Sequence, residues 1–258
     1  MVEGAPKRYL VIMPAYNEAA NIEAVIHELR QVVGTADLVV VDDASRDDTA
    51  RRARDLGAVV LCHPCNLGYG GAVQTGFRYA VERGYDFAVL MDADGQHDPR
   101  NIPALLDVVQ GGQADVAVGS RFLGRMEYQA GWLRRFGAWV FQRVASLATG
   151  ERVTDPTSGF QALNASALRF LAWDNYPADF PDTDVLLTLH MAGFRVREVP
   201  VVMRERRAGV SMHTNWGAFY YVAKMFLSIL MVFLREWTRD RRRGPSSGGS
   251  GVEGQVGG

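Results

Sequence analysis

The chain has 258 residues, enough for one domain or for one domain with an appendage, and 48% of them are apolar, ample for a core. A net charge of -1 excludes a nucleic-acid binder that relies on a broad basic field. The two cysteines, in Cys62-His63-Pro64-Cys65, cannot complete a four-ligand zinc site and read as ordinary thiols near a strand end.

Met1 to Arg8 is a short leader without the basic run and apolar core of a secretion signal, so a cytoplasmic setting is the default expectation. Tyr9 to Met13 predicts a first buried strand, stopped by Pro14. Ala15-Tyr16-Asn17-Glu18 follows, then a helix from about Ala19 to Val33 with apolar Ile22, Val25, Ile26 and Leu29. Asp37 to Val41 predicts a second strand, ending in Asp42-Asp43-Ala44-Ser45. Ser45 with Asp48 has the look of a helix N-cap pair, and the helix should run through Leu56. Ala58 to Leu61 predicts a third strand. Asn66-Leu67-Gly68-Tyr69-Gly70-Gly71-Ala72 is a Gly-rich loop opening a helix through Arg83. Its glycine spacing misses the dinucleotide fingerprint, which also belongs after a first strand.

Phe87 to Met91 predicts a fourth buried strand, ending in Asp92-Ala93-Asp94-Gly95-Gln96-His97. Carboxylates at i and i+2 suit either a capped turn or a hard divalent cation shared with a phosphate ligand. Alternating strands and helices predict an α/β fold, a mostly parallel sheet with helices on both faces. In such sheets ligands collect at the carboxyl ends of strands. Glu18, Asp42 with Asp43, and Asp92 with Asp94 would crowd that edge, which favours a cation, a sugar or a nucleobase as the thing held.

Asp115 to Arg121 is a further short strand ending in a basic residue. Arg121 would suit an anion, for which a guanidinium fork is shaped. A helix is expected over about 132–149, a turn over Thr154 to Phe160, short helices over 164–172 and from about Asp184 to Ala192, and an alternating strand from Arg195 to Met203. Arg204 to Ser211 is a basic loop. Trp216 to Leu234 is apolar apart from Lys224, and Arg235 to Arg243 is basic. This segment suits a helix lying at a membrane interface or packed on the protein, better than one spanning a bilayer. Gly244 to Gly258 reads as a disordered tail.

These pieces, in order, resemble a family 2 glycosyltransferase of the GT-A, Rossmann-like fold, and in particular the dolichol-phosphate mannosyltransferase-like branch. The residues carrying the resemblance are Pro14 to Glu18, Val41 to Ser45, Asn66 to Ala72, Asp92 to His97, Gly119-Ser120-Arg121-Phe122, Asp155 to Phe160 and Arg206 to Ser211. It implies a GT-A domain over 1–212, an apolar and basic C-terminal helix over 213–243, and the tail over 244–258. It implies inverting transfer of a sugar from a nucleotide-sugar donor, of the GDP-mannose or UDP-glucose type, to a polyprenyl phosphate at the inner face of a membrane. A hydroxyl acceptor is the alternative, and a nucleotide-dependent oxidoreductase a distant one. Donor binding would fall to Pro14, Ala15, Tyr16, Glu18, Asp42, Asp43, Gly68, Asp92 and Ala93. Asp92, Asp94 and Gln96 would position Mg²⁺ or Mn²⁺. The expected catalytic set is Asp94, Arg121, Arg206, Arg207 and Asp155, with Asp182 and Asp184 as further candidates for a base. One departure is that Met212-His213 follows Gly209-Val210-Ser211, where many polyprenyl-phosphate members carry Lys.

Overall fold

Strand β1 (Tyr9–Ala15) is buried on both faces, and its alternating side chains divide the core in two. Val11 and Met13 enter one half, with Ile22, Val25, Ile26 and Leu29 of helix α1 (Ile22–Val33), Ala53 of α2 (Thr49–Asp55), and Ile102 and Leu105 of α4 (Ile102–Gln110). Leu10 and Ile12 enter the other, with Val73, Phe77 and Ala80 of α3 (Gly68–Glu82), Leu168 and Leu171 of α5 (Ala165–Leu171), and Val185 and Leu189 of α6 (Thr183–Met191). The expected helices on both faces are thus present. This computed structural model describes residues 8–34, 36–126, 139, 142–143, 145–147, 149–150, 152–173, 176 and 183–205. Arg206, Arg207, Asp182, the expected 213–243 helix and the 244–258 tail lie outside them. Among the described residues no helix is long and apolar enough to cross a membrane.

The sheet also contains β2 (Asp37–Asp42), β3 (Val59–Cys62), β4 (Phe87–Leu90), β5 (Val116–Met126), β6 (Gln161–Asn164) and β7 (Val196–Met203). Their order is β3-β2-β1-β4-β6-β5-β7. All neighbours pair in parallel except β6, which runs antiparallel to both β4 and β5. The sequence reading missed β6. Its four residues are too few to show a period, and they merge into the expected helix that follows. Reversal of β6 matters for function, because its amino end, not its carboxyl end, lies at the ligand edge. The residues before it therefore arrive beside the turns that follow β1, β2 and β4.

Two local expectations are corrected. Helix α2 begins at Thr49 after Asp48, and Ser45 Oγ instead accepts the Asn17 N–H at 2.9 Å. The Gly-rich stretch is not a loop ahead of its helix, since Gly68 already begins α3.

Helix α3 crosses β1 closely. A Cβ at Gly76 would lie 2.2 Å from Ile12 Cγ2, and Ile12 is fully buried in a central strand. Alanine at this position would gain about 1 kcal/mol of helix propensity. Overpacking a buried contact costs about 1–3 kcal/mol, and Ile12 has no space into which to move. Gly76→Ala should therefore lower the unfolding free energy, by up to about 2 kcal/mol net, measured by urea denaturation.

Candidate functional site

The turns after β1 and β2 are laced together by side chains. The Arg46 N–H donates to Asn17 Oδ1 at 2.8 Å, and the Glu18 N–H to Thr49 Oγ1 at 2.8 Å. Glu18 is buried, and its Oε2 accepts the Asn21 amide at 2.6 Å. Asn17 and Ala44 both take left-handed backbone angles, with φ of 56° and 60°. For alanine that is strained, and such strain gathers at functional turns. Pro14 and Ala15 are buried in β1, while Tyr16 is 39% exposed at the strand end.

Asp42 and Asp43 have opposite environments. Asp43 is a clamp. Its Oδ1 takes the Leu67 N–H at 2.8 Å and lies 2.7 Å from His63 Nδ1, while its Oδ2 takes the Gly68 N–H at 2.8 Å. His63 is pinned from its other side by Thr75 Oγ1 at 2.9 Å. A carboxylate here meets donors and the positive end of the α3 dipole together. Asp42 is also buried, and its Oδ2 accepts the Ser45 N–H at 3.3 Å. Its Oδ1 is buried without a hydrogen-bond partner among the described residues. A buried orphan acceptor at a ligand edge is costly unless a ligand supplies a donor.

Asp92 and Asp94 follow β4. Asp92 Oδ1 accepts the Tyr69 hydroxyl at 2.9 Å, and Asp94 Oδ1 accepts the Gln96 N–H at 3.0 Å. Ala93 between them is buried. Gly159 leaves room for the Tyr69–Asp92 contact, since a Cβ there would sit 2.7 Å from the Tyr69 hydroxyl. His97 folds back under both aspartates. Its Nδ1 accepts the Asp92 N–H at 3.0 Å, which puts the proton of the neutral ring on Nε2, 3.7 Å from Asp92 Oδ2. The ring stacks on Phe160 with centroids 4.7 Å apart. Burial pushes its pKa down to about 4, against the pull of Asp94 and Asp155, with Arg121 adding to the fall. One imidazole thus feels Asp94, Asp155 and Arg121 at once. Among the described residues no cluster of three or more His, Cys, Asp or Glu could hold a metal alone. The hard oxygens of Asp92 and Asp94 fit a divalent cation whose other ligands come from a phosphate.

Arg121 and Asp155 form a two-point ion pair. Arg121 Nε donates to Asp155 Oδ2 at 2.7 Å and Nη2 to Oδ1 at 2.6 Å, while Nη2 also reaches Thr157 Oγ1 at 2.7 Å. The Asp155 side chain is fully buried, whereas that of Arg121 is 22% exposed. A cleft of about 550 Å³ adjoins them, lined by Phe122, Leu123, Trp139, Arg143, Arg152 and Thr154 among others. Asp184 is buried at the start of α6, where its Oδ1 takes the Val185 N–H at 2.9 Å.

The end of β7 closes the edge. The Arg204 N–H donates to the Gln96 carbonyl at 2.9 Å, and its guanidinium bridges Asp98 at 2.9 Å and Glu28 at 2.6 Å. The segment leading to Arg206 and Arg207 is therefore moored beside Asp94 and Gln96. Reasoning from sequence missed His97, Tyr69, Gly159, Asp43's clamp and Arg204's mooring. Only adjacency to the acidic motifs could have flagged them, because all but His97 act across long sequence separations.

The family model described as glycosyl transferase family 2 matches residues 10–171, which contain every one of these strand-end turns except that after β7. The chain belongs to glycosyl transferase family 2. The oxidoreductase alternative is thereby set aside. This glycosyltransferase is 37% identical over 215 residues to the undecaprenyl-phosphate mannosyltransferase of Micrococcus luteus, covering 79% of this chain and 86% of that one. It is 33% identical to the polyprenol monophosphomannose synthase of Mycolicibacterium smegmatis, covering 80% of each chain. Among solved structures, glucosyl-3-phosphoglycerate synthase from Mycobacterium tuberculosis, in complex with Mn²⁺, UDP and product, superposes with a TM-score of 0.68 at 22% identity. That match covers 88% of this chain and 80% of the other. The likeness shows the Rossmann-like GT-A fold.

Asp43→Asn keeps the size of the clamp but leaves one oxygen for three donors. Removing a buried acceptor costs about 1–3 kcal/mol. The expected result is a stability loss of that order in urea, together with weaker nucleotide-sugar binding by calorimetry as the first turn of α3 loosens.

Proposed function

We propose that this glycosyltransferase moves a hexose, with inversion, from a nucleotide sugar of the GDP-mannose or UDP-glucose type to a polyprenyl phosphate. The observation that carries the reading is that His97, whose Nδ1 takes the Asp92 N–H, stacks on Phe160 at the end of the turn that carries Asp155 and its Arg121 partner, so that a carboxylate pair and an arginine stand on adjoining turns. The names of the relatives from Micrococcus luteus and Mycolicibacterium smegmatis support the acceptor class.

On the donor side, Asp42 Oδ1 accepts an N–H or O–H of the base or ribose, which resolves its burial without a partner. Pro14, Ala15, Tyr16, Glu18 and Gly68 shape that end of the site, and Asp43 acts by holding α3. Asp92 and Asp94 would hold Mg²⁺ or Mn²⁺ on the donor side, and Gln96 fixes Asp94 through its N–H. When bound, the metal neutralises charge on the departing diphosphate. Arg206 and Arg207, just beyond the Arg204 mooring, meet the same diphosphate.

On the acceptor side, Arg121, whose side chain is 22% exposed, meets the acceptor phosphate, and Asp155 orients it. The phosphate oxygen attacks the anomeric carbon, the bond from that carbon to the diphosphate oxygen breaks, and the nucleoside diphosphate leaves with the electron pair. A phosphate is already ionised near neutral pH, so no proton has to be removed. A hydroxyl acceptor would need a base, and both oxygens of Asp155 are engaged by Arg121. The cleft beside Arg121 is mixed in character, with Phe122, Leu123 and Trp139 available to the first prenyl units and Arg143 and Arg152 to the anion. Such an acceptor brings the protein to a membrane face, where the apolar and basic 216–243 stretch would make peripheral contact.

A thermal-shift panel of nucleotide sugars, with and without Mn²⁺, should show one donor raising the melting temperature in a metal-dependent way. Asp94→Asn should remove the metal-dependent part of that shift and lower turnover about 10²-fold or more. Retained metal dependence in that variant would remove Asp94 from the metal site.

Arg121→Lys keeps the charge but loses the fork. It should raise the KM for polyprenyl phosphate in vesicles about tenfold while leaving donor affinity unchanged. Equal loss of donor and acceptor binding would count against the assignment of Arg121 to the acceptor.

A further inference from the structure

Arg121 is not held by the sheet. The β5–β7 ladder is regular up to Ser120 opposite Pro200 and resumes only at Arg125 opposite Val202. Residues 121–124 therefore stand against Val201 alone, a bulge that turns Arg121, Phe122 and Leu123 out of register. The bulge returns so tightly that a Cβ at Gly124 would lie 2.0 Å from the Val201 carbonyl oxygen. In place of a ladder bond, the Arg121 N–H donates to Asp155 Oδ2 at 2.9 Å. Backbone and guanidinium of Arg121 both depend on where Asp155 stands.

Asp155 in turn hangs on Glu198 of β7. Glu198 Oε1 accepts the Asp155 N–H at 2.6 Å and the Thr154 N–H at 2.8 Å. Its Oε2 lies 3.0 Å from the Thr154 N and accepts the Thr154 hydroxyl at 2.7 Å. The Thr154 proton is thus committed to Glu198, so Ser120 Oγ, 2.6 Å from Thr154 Oγ1, must be the donor in that contact. Ser120 Oγ also accepts the Leu123 N–H at 3.2 Å, which ties the far side of the bulge to the same network. One half-buried carboxylate gathers the 154–155 turn, and that turn grips residues 120 and 121.

We infer that Glu198 is a positioning residue for the acceptor-anion site, setting the Arg121 guanidinium through Thr154 and Asp155. The inference rests on the reading of Arg121 as the acceptor-phosphate residue. A carboxylate offers two acceptor oxygens to three donors. Glutamine offers one, and its NH₂ would face N–H groups that need an acceptor.

The test uses full-length Glu198→Gln. Phenylglyoxal modification of Arg121, followed by peptide mass mapping, reports the guanidinium's restraint without reference to activity. It should run several-fold faster in the variant, and the KM for polyprenyl phosphate should rise about tenfold with the donor dissociation constant unchanged. Because Glu198 acts through Asp155, Glu198→Gln should add little to Asp155→Asn in a double-mutant cycle on acceptor KM. Unchanged Arg121 reactivity and acceptor KM in folded Glu198→Gln would overturn the inference. So would additive effects in the cycle, or donor affinity falling in step with acceptor affinity. If Glu198→Gln does not fold, Thr154→Val, which removes only the hydroxyl link, should shift Arg121 reactivity in the same direction, and no shift would overturn it. Absence of polyprenyl-phosphate turnover in the wild type would instead sink the proposed acceptor, while Arg121 reactivity still decides the role of Glu198.

Discussion

Crowding of carboxylates along one edge of the sheet is the constraint on which the rest of this structure depends. Strands β1, β2 and β4 deliver Glu18, Asp42, Asp43, Asp92, Asp94 and Asp98 to that edge, and the turn before β6 adds Asp155. Buried like charges are tolerated only when each has its own compensation. Asp43 is compensated by backbone N–H groups at the start of α3 and by His63. Asp155 is compensated by the fork of Arg121, and Asp98 by Arg100 and Arg204. The compensations are also the scaffolding. Asp43 fixes the Gly-rich turn, Asp98 moors the end of β7, and Asp155 sets Arg121.

The two cores explain why this scaffolding is rigid. Central strands buried on both faces leave their turns little freedom, and α3 lies so close to β1 that only glycine fits at position 76. Tyr69, in the first turn of α3, then reaches Asp92 across a gap that Gly159 keeps open. Packing on one face of the sheet is thereby converted into the orientation of a carboxylate at its edge. His97 does the same from the other side, with its ring stacked on Phe160 and its Nδ1 receiving the Asp92 N–H.

Much of this was legible in the sequence, for identifiable reasons. Buried parallel strands are continuous apolar runs, and the turns after them carried Glu18, Asp42, Asp43, Asp92 and Asp94 in plain view. Helix α1 was readable from Ile22, Val25, Ile26 and Leu29, which recur at helical spacing. Strand β6 was not, because Gln161 to Asn164 gain their identity only from β4 and β5 on either side. Ser45 has the local pattern of a cap, and that pattern cannot show that Asn17, twenty-eight positions earlier, claims its hydroxyl. The difference between Asp42 and Asp43 was equally hidden, since neighbours in sequence face different partners once α3 is in place. Glu198 looked like an ordinary residue of an alternating strand, and its importance lies wholly in Thr154 and Asp155, more than forty positions away.

The same constraint bears on how a donor could enter. A nucleotide diphosphate is itself anionic, and an edge that holds Asp42, Asp92 and Asp94 would repel it if left as it stands. Arg121 cannot serve both sides, because its guanidinium is drawn toward Asp155 and Thr157. In the proposed reading, cationic charge on the donor side would be supplied by a divalent cation held by Asp92 and Asp94 and by the arginines that follow Arg204 in the sequence. Arg204 itself is held beside this turn, its N–H on the Gln96 carbonyl. Division of labour between the two sides thus follows from the charge pattern. One side carries excess carboxylate, while the other carries an ion pair whose more exposed member is an arginine.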